Sequence, residues 1–257
     1  MTPKPRPAAS RARNTDPAPV VPAAATPPSG VLERGVSILE CFTEDRLRLP
    51  LRDLAQITGL DKATVLRLAG VLVRSRLLHR FDNGNYAPGP ALLHMGMLYR
   101  RTFDVGSRLQ PVLRRVMEAT GETVAFFVRS GDERVCLYRE NSDHELRHHV
   151  EVGARVKLAD GGSSAHVLKA FTGGQTPQAE HILREGFAIT REERLPQMAS
   201  VALPVFDGDG GFLGALVVIG LAPRQSPAAQ RKAVQVARHE LAQVGFASRP
   251  PKDWQGA

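Results

Sequence analysis

Residues 51–74 read LRDLAQITGLDKATVLRLAGVLVR, and their spacing predicts two short helices joined by a tight turn. Ala55 offers the small side chain that two helices need where they touch. Gly59, four residues on, predicts the end of the first helix, because glycine enters the left-handed cap conformation without steric cost. The second helix starts near Asp61. Val65, Leu68 and Val71 recur at three-residue steps and predict its buried face. Lys62, Thr64 and Arg67 then fall on the opposite, solvent-facing side. From that side the second helix of a helix-turn-helix reaches base edges in the major groove. The pattern implies that the chain binds double-stranded DNA.

Upstream, residues 31–45 predict a further helix, with Leu32, Val36, Leu39 and Phe42 as its apolar stripe. Downstream, Leu77–Phe81 and Asn85–Ala87 predict two strands joined by Asp82-Asn83-Gly84. Asn-Gly between strands is a strong hairpin signal. Three helices followed by a hairpin make a winged helix, and the wing carries Arg80, Asn83 and Tyr86 toward the DNA backbone. Contacts of that kind set register rather than sequence. Pro88-Gly89-Pro90 closes the unit, so the winged helix-turn-helix domain is expected over 31–90. Ahead of it, residues 1–30 are rich in proline and alanine, with Lys4, Arg6, Arg11 and Arg13 against a lone Asp16. That composition predicts a disordered basic tail.

Residues 91–120 predict linker helices on the spacing of Leu92, Met95, Leu98 and then Leu109, Val112, Val116, with Pro111 opening the second. From Thr123 the period changes to that of strands. TVAFFVR (123–129) and RVCLYRE (134–140) form a hairpin around Ser130-Gly131-Asp132-Glu133. Arg147–Val152 and Arg155–Leu158 are weaker strand candidates. Ser164 is expected to cap a helix over Ala165–Phe171, and another short helix is expected over Pro177–Arg184. VALPVF (201–206), a turn at Asp207–Gly211 and FLGALVVIG (212–220) follow. Ser226-Pro227 opens a last helix, whose stripe is Val234, Ala237, Leu241 and Val244. Strands joined by hairpins and framed by helices predict an α+β antiparallel sheet domain over 121–248, with a loose tail at 249–257.

The totals bound the function. The chain has 257 residues, a formal net charge of +8 and a sequence pI of about 10.1, which suits an anionic partner. Cys41 and Cys136 lie in apolar runs without a CxxC, which predicts buried, unpaired thiols and a cytoplasmic location. No apolar run approaches the roughly 20 residues of a membrane span, so no membrane partner is expected. His144 and His148 would share a face in a helix, but the segment reads as strand or loop, where that helical geometry is lost, and a metal site needs three or four convergent ligands, so none is expected. Asp207–Gly211 lacks the third acidic position and the terminal glutamate of a calcium loop. Ser163 and Ser164 sit in no G-x-S-x-G elbow. The chain is therefore not expected to be an enzyme or to carry a cofactor.

Six segments together resemble the IclR family of transcriptional regulators. They are LERGVSILE (32–40), LRDLAQITGLDKATVLRLAGVLV (51–73), FDNGNYAPGPALLHMG (81–96), GETVAFFV (121–128), GFAITREE (186–193) and VALPVFDGDGGFLGALVV (201–218). The resemblance implies a winged helix joined to a GAF-like sheet domain that binds a small organic effector. It also implies homodimers, or dimers of dimers, on pseudo-palindromic operators. The family's effector pocket maps onto His148, Val156, Gly162, Ser163, Thr190, Met198, Ser200, Val217 and Ile219. Val217 and Ile219, two apart on one strand, share a face. They are apolar where relatives that take small polar acids carry hydroxyls, so the expected effector is a carboxylate with an aromatic or aliphatic body. Between Phe171 and Gly186 the chain has about fifteen residues where the family usually has a longer helical insert. Gly161-Gly162-Ser163-Ser164 replaces the usual Ser-Gly of the pocket loop. A second reading follows from the short segment: a sheet domain that only mediates oligomerisation and binds no ligand.

Overall fold

A computed structural model describes residues 30–102 and 105–251. The tail expected over 1–30 therefore lies almost wholly outside the described residues, as does most of 249–257. The chain divides into two compact units, one ending at Gly96 and one starting at Met97.

The first unit runs α1 (Val31–Leu39), β1 (Leu49–Pro50), α2 (Leu51–Thr58), α3 (Lys62–Arg74), β2 (Leu78–Arg80) and β3 (Asn85–Pro88), and α4 (Pro90–Thr102) crosses the boundary. Gly59 ends α2 in the left-handed conformation, with φ of 69°. Asp61 caps α3, its carboxylate accepting the Thr64 N–H at 2.8 Å. The Thr64 side chain, and then its N–H, lower the Asp61 pKa by hydrogen bonding to the carboxylate. Ile38, Leu54, Val65, Leu68, Ala69, Leu72 and Tyr86 fill the core. Two stripes differ from expectation. Val71 is 45% exposed, and Leu72 packs in its place, because the 3.6-residue period carries the buried face from 65 to 68, 69 and 72. In α1, Leu32 and Val36 are exposed and Ile38 is the residue that buries, followed beyond the helix by Cys41. Strand β1 adds a third strand to the wing, in the order β1-β3-β2. A Cβ on Gly89 would stand 2.2 Å from the Arg76 carbonyl oxygen, so only glycine lets the chain leave the wing against the end of α3.

The second unit runs α5 (Gly106–Thr120), β4 (Thr123–Ser130), β5 (Glu133–Glu140), β6 (Arg155–Lys157), a 3-10 turn (Leu158–Asp160), α6 (Ser163–Phe171), α7 (Ala179–Glu185), β7 (Ala188–Arg191), β8 (Met198–Phe206), β9 (Phe212–Leu221) and α8 (Pro227–Gln243). Its six strands form one antiparallel sheet, ordered β6-β5-β4-β9-β8-β7. Helices α5 and α8 cover one face over Leu113, Val116, Phe126, Leu203 and Leu241. Helices α6 and α7 cover the other over Phe127, Leu168, Phe171, Ile182 and Phe206.

The second half of the expected linker belongs to this core, since Leu109, Val112, Leu113 and Val116 of α5 are fully buried. Pro111 lies inside α5 rather than opening it. Arg147–Val152 forms no strand, and β7, too short to show a period, is a strand that alternation did not predict. Helix α6 starts at Ser163, with Gly162 as its cap at φ of 90°, a backbone angle that favours glycine over the expected Ser164. Both cysteines are buried, and burial raises their thiol pKa values to about 11 for Cys41 and about 12 for Cys136. Neither is a thiolate at neutral pH.

Candidate functional site

On α3, Lys62 and Arg67 are exposed, and Thr64 is half-buried beside the cap. All three lie off the buried stripe of Val65, Leu68, Ala69 and Leu72. In the wing, Arg80 is exposed, with its guanidinium 5.7 Å from the centre of the Tyr86 ring. Asn83 is exposed and shapes the turn, its side-chain oxygen accepting the Asn85 N–H at 3.1 Å. Tyr86 does not reach toward DNA. It is 2% exposed, because alternation along β3 turns it inward onto the core. Arg48, which the spacing did not single out, stacks 4.4 Å from the centre of the Phe81 ring and adds a cation beside the wing.

In the sheet domain, all nine positions carried over from the resemblance line one cavity of about 50 Å³: His148, Val156, Gly162, Ser163, Thr190, Met198, Ser200, Val217 and Ile219. Val217 and Ile219 form an apolar wall with Phe127 and Val156. Three hydroxyls meet beside them. Ser163 Oγ lies 2.7 Å from Ser200 Oγ, and Thr190 Oγ1 lies 3.0 Å from the same atom. Register explains the meeting, since Thr190 pairs with Ser200, and Ser200 with Ile219, across β7, β8 and β9.

The start of α6 is an anion-seeking position, with N–H groups and the positive end of the helix dipole turned outward. The protein's own groups fill it. Glu193 Oε1 accepts from Gly162 N at 3.2 Å and lies 2.7 Å from His166 Nε2. Ser163 N donates to Thr190 Oγ1 at 3.1 Å. On its other side, the His166 ring holds Thr176 Oγ1 at 2.6 Å.

Three charged residues missing from the expected set also line the cavity: Arg134, Glu193 and Arg194. Arg134 is 3% exposed and donates from Nη1 to the Gly161 carbonyl at 2.8 Å. Burial, with Arg194 nearby, lowers its pKa to about 10, so it stays protonated at neutral pH. A local signal for it exists: Arg134 and Cys136, two apart, hold buried slots of β5, where a cation is out of place. Glu193 and Arg194 carry no such signal, because a loop brings them in. Burial, then Arg194, push the His148 pKa down to about 4. The ring is neutral at pH 7, and Arg194 Nη2, 3.2 Å from its Nε2, donates to it.

Among the described residues no group of histidine, cysteine or carboxylate side chains is placed to hold a metal. Ser163 faces a hydroxyl rather than a histidine, and so lacks a general base. Asp207 accepts the N–H groups of Asp209 and Gly211 at 3.0 and 2.7 Å and closes the turn internally.

A helix-turn-helix with a three-stranded wing, joined to an antiparallel sheet domain, is the architecture of a DNA-binding regulator. The IclR helix-turn-helix domain model matches residues 31–81, and the model for the C-terminal domain of IclR bacterial transcriptional regulators matches 97–178. Together they span more than half of the chain. The transcriptional regulator BhcR of Paracoccus denitrificans is 28% identical, over 86% of this chain and 88% of its own. The transcriptional repressor AllR of Klebsiella pneumoniae is 26% identical, over 76% and 81%. Among solved structures, an IclR regulator from Silicibacter sp. TM1040 superposes with a TM-score of 0.71 at 23% identity, covering 86% of this chain and 98% of its own. An IclR homolog from Microbacterium hydrocarbonoxydans, complexed with 4-hydroxybenzoate, superposes with a TM-score of 0.69 at 19% identity, covering 84% and 98%. The chain belongs to the IclR family and is a DNA-binding transcriptional regulator, not an enzyme. No described helix is long and apolar enough to cross a membrane.

Proposed function

We propose that the chain is a ligand-responsive regulator, in which a small organic acid in the sheet domain alters the affinity of α3 for a pseudo-palindromic operator. The observation that carries this reading is the cavity, whose lining combines the hydroxyls of Ser163, Thr190 and Ser200 with the apolar side chains of Val156, Val217 and Ile219. The relative bound to 4-hydroxybenzoate supports an acid with an apolar body. In this reading Lys62, Thr64 and Arg67 read bases, while Arg80 and Asn83 hold the backbone.

The operator symmetry rests on a homodimer. Helix α4 supports one: it buries none of its residues, and Leu93 is 71% and Met95 55% exposed. A second copy would cover such a run. The ligand acts only if its affinity differs between the DNA-competent state and the other.

Operator affinity measured with and without 4-hydroxybenzoate and aliphatic acids of similar size tests the proposal. One acid is expected to shift the DNA midpoint several-fold at fixed salt. The small cavity favours a second reading, in which the sheet domain only pairs protomers; about 50 Å³ holds three or four waters. That reading stands if no acid moves either the DNA midpoint or the melting temperature.

Arg80→Ala is expected to weaken operator and random DNA alike and to lower the slope of log affinity against log salt by about 1, the loss of one phosphate contact. An unchanged slope would remove the wing from the interface.

A further inference from the structure

Arg134 poses an electrostatic problem. It is a cation 3% exposed, on β5, facing the cavity. Among the described residues its side chain donates one hydrogen bond, to the neutral carbonyl of Gly161, and meets one ring, that of Phe127, at 5.7 Å. Asp160 and Glu193 are near enough to act on its charge, but neither pairs with it. Glu193 is turned instead to His166 and to Gly162 N. Arg194, the second cation at the cavity, is turned to the neutral ring of His148. Buried charges in proteins are normally paired, because desolvating a lone ion is costly. A guanidinium also has five N–H donors, and most of those on Arg134 are uncommitted.

Gly162 borders it without a side chain. A Cβ on Gly162 would stand 3.6 Å from Arg134 Nη2, and the φ of 90° at Gly162 disfavours any side chain there. The other anion-seeking feature, the start of α6, is already occupied from within by Glu193 and Thr190.

Resting on the effector reading above, we infer that Arg134 is the residue that recognises the effector, by pairing with its carboxylate inside the cavity. The ligand is the missing counter-ion. Its carboxylate takes the free edge of the Arg134 guanidinium, and its apolar body lies along Val217 and Ile219. The volume of about 50 Å³ fits the head group alone, so the body of a larger acid displaces the loop carrying Glu193 and Arg194. Specificity then runs for acid over amide, set by one arginine on β5 rather than by the helix end.

The test uses the full chain in isothermal titration calorimetry, with benzoate, 4-hydroxybenzoate and hexanoate as probes, each beside its own amide. At least one acid is expected to bind at least about tenfold more tightly than its amide. Arg134→Met is expected to abolish that preference, lowering acid affinity by at least about tenfold and leaving amide affinity unchanged. Arg134→Lys, a charge without the fork, is expected to fall between. The melting temperature of unliganded Arg134→Met is expected to be unchanged or raised, since an unpaired buried charge has gone. A purely structural arginine would give the reverse: lower melting and an unaltered acid-to-amide ratio. Equal binding of acid and amide by the wild type, or full acid affinity in Arg134→Met, would overturn the role of Arg134 and leave the effector reading standing. Binding of no probe, acid or amide, would overturn both. If Arg134→Met fails to fold, the wild-type acid-to-amide ratio and Arg134→Lys still decide.

Discussion

Arg224→Met is expected to destabilise the sheet domain by about 2–4 kcal/mol, because it strands a buried carboxylate. Arg224 Nε and Nη2 grip Glu122 at 2.8 and 2.9 Å, a two-point fork that also raises the Arg224 pKa. The Glu122 side chain is 4% exposed and that of Arg224 is 30% exposed. Removing the arginine therefore leaves the costlier partner behind, whereas Glu122→Gln leaves a cation that water can reach. The expected cost of Glu122→Gln is about 1 kcal/mol, and the double variant should cost clearly less than the two together. A Cβ on Gly220 would stand 2.5 Å from the Glu122 carboxyl carbon, so β9 itself makes room for the pair.

The pair also bears on the cavity. Arg224 Nη2 donates to Leu146 O at 3.2 Å, and Thr123 Oγ1 donates to His148 O at 3.2 Å. These bonds tie down the irregular segment that carries His148. In calorimetry the melting temperature of Arg224→Met should fall by roughly 5–10 °C. Equal and additive losses in the two single variants would show that the ion pair does not act as a unit.

The helix-turn-helix was legible because several local signals agreed. Gly59 supplied a stop, Asp61 a cap, and the apolar spacing a face. Errors came where a short window cannot tell threes from the 3.6 period, as at Val71 against Leu72, or where a side chain alternates inward, as at Tyr86. The two-residue β1 and the four-residue β7 are too short for any period to show.

The cavity was legible only through family resemblance. Its members come from β4, β5, β6, β7, β8, β9, α6 and loops far apart in sequence, and beyond pairs such as Val217 and Ile219 on one strand no spacing relates them. What the resemblance left out is the charge: Arg134 enters from a strand, and Glu193 and Arg194 from a loop. The start of α6 is closed by Glu193, a contact 31 residues away along the chain. Contacts of that range belong to the folded structure, and no local pattern announces them.

Arg67→Ala carries the largest expected effect on DNA reading. Arg67 is exposed on the polar side of α3, and its neighbour Leu68 anchors the helix from the buried side. An arginine in a major groove can hold guanine O6 and N7 at once, a contact that discriminates by about 1–3 kcal/mol. Its loss should reduce operator affinity by roughly five- to 150-fold while leaving random DNA nearly unchanged. Equal losses on both would reduce Arg67 to a phosphate contact.

In the proposed function α3 reads a specific, two-fold site. Sequencing genomic DNA recovered with the wild-type protein, beside the same recovery with Arg67→Ala, measures it directly. The wild type should enrich a pseudo-palindromic sequence whose half-sites lie one or more helical turns apart, and Arg67→Ala should lose that enrichment. No common sequence from the wild type, or the same sequence at the same enrichment from Arg67→Ala, would contradict it.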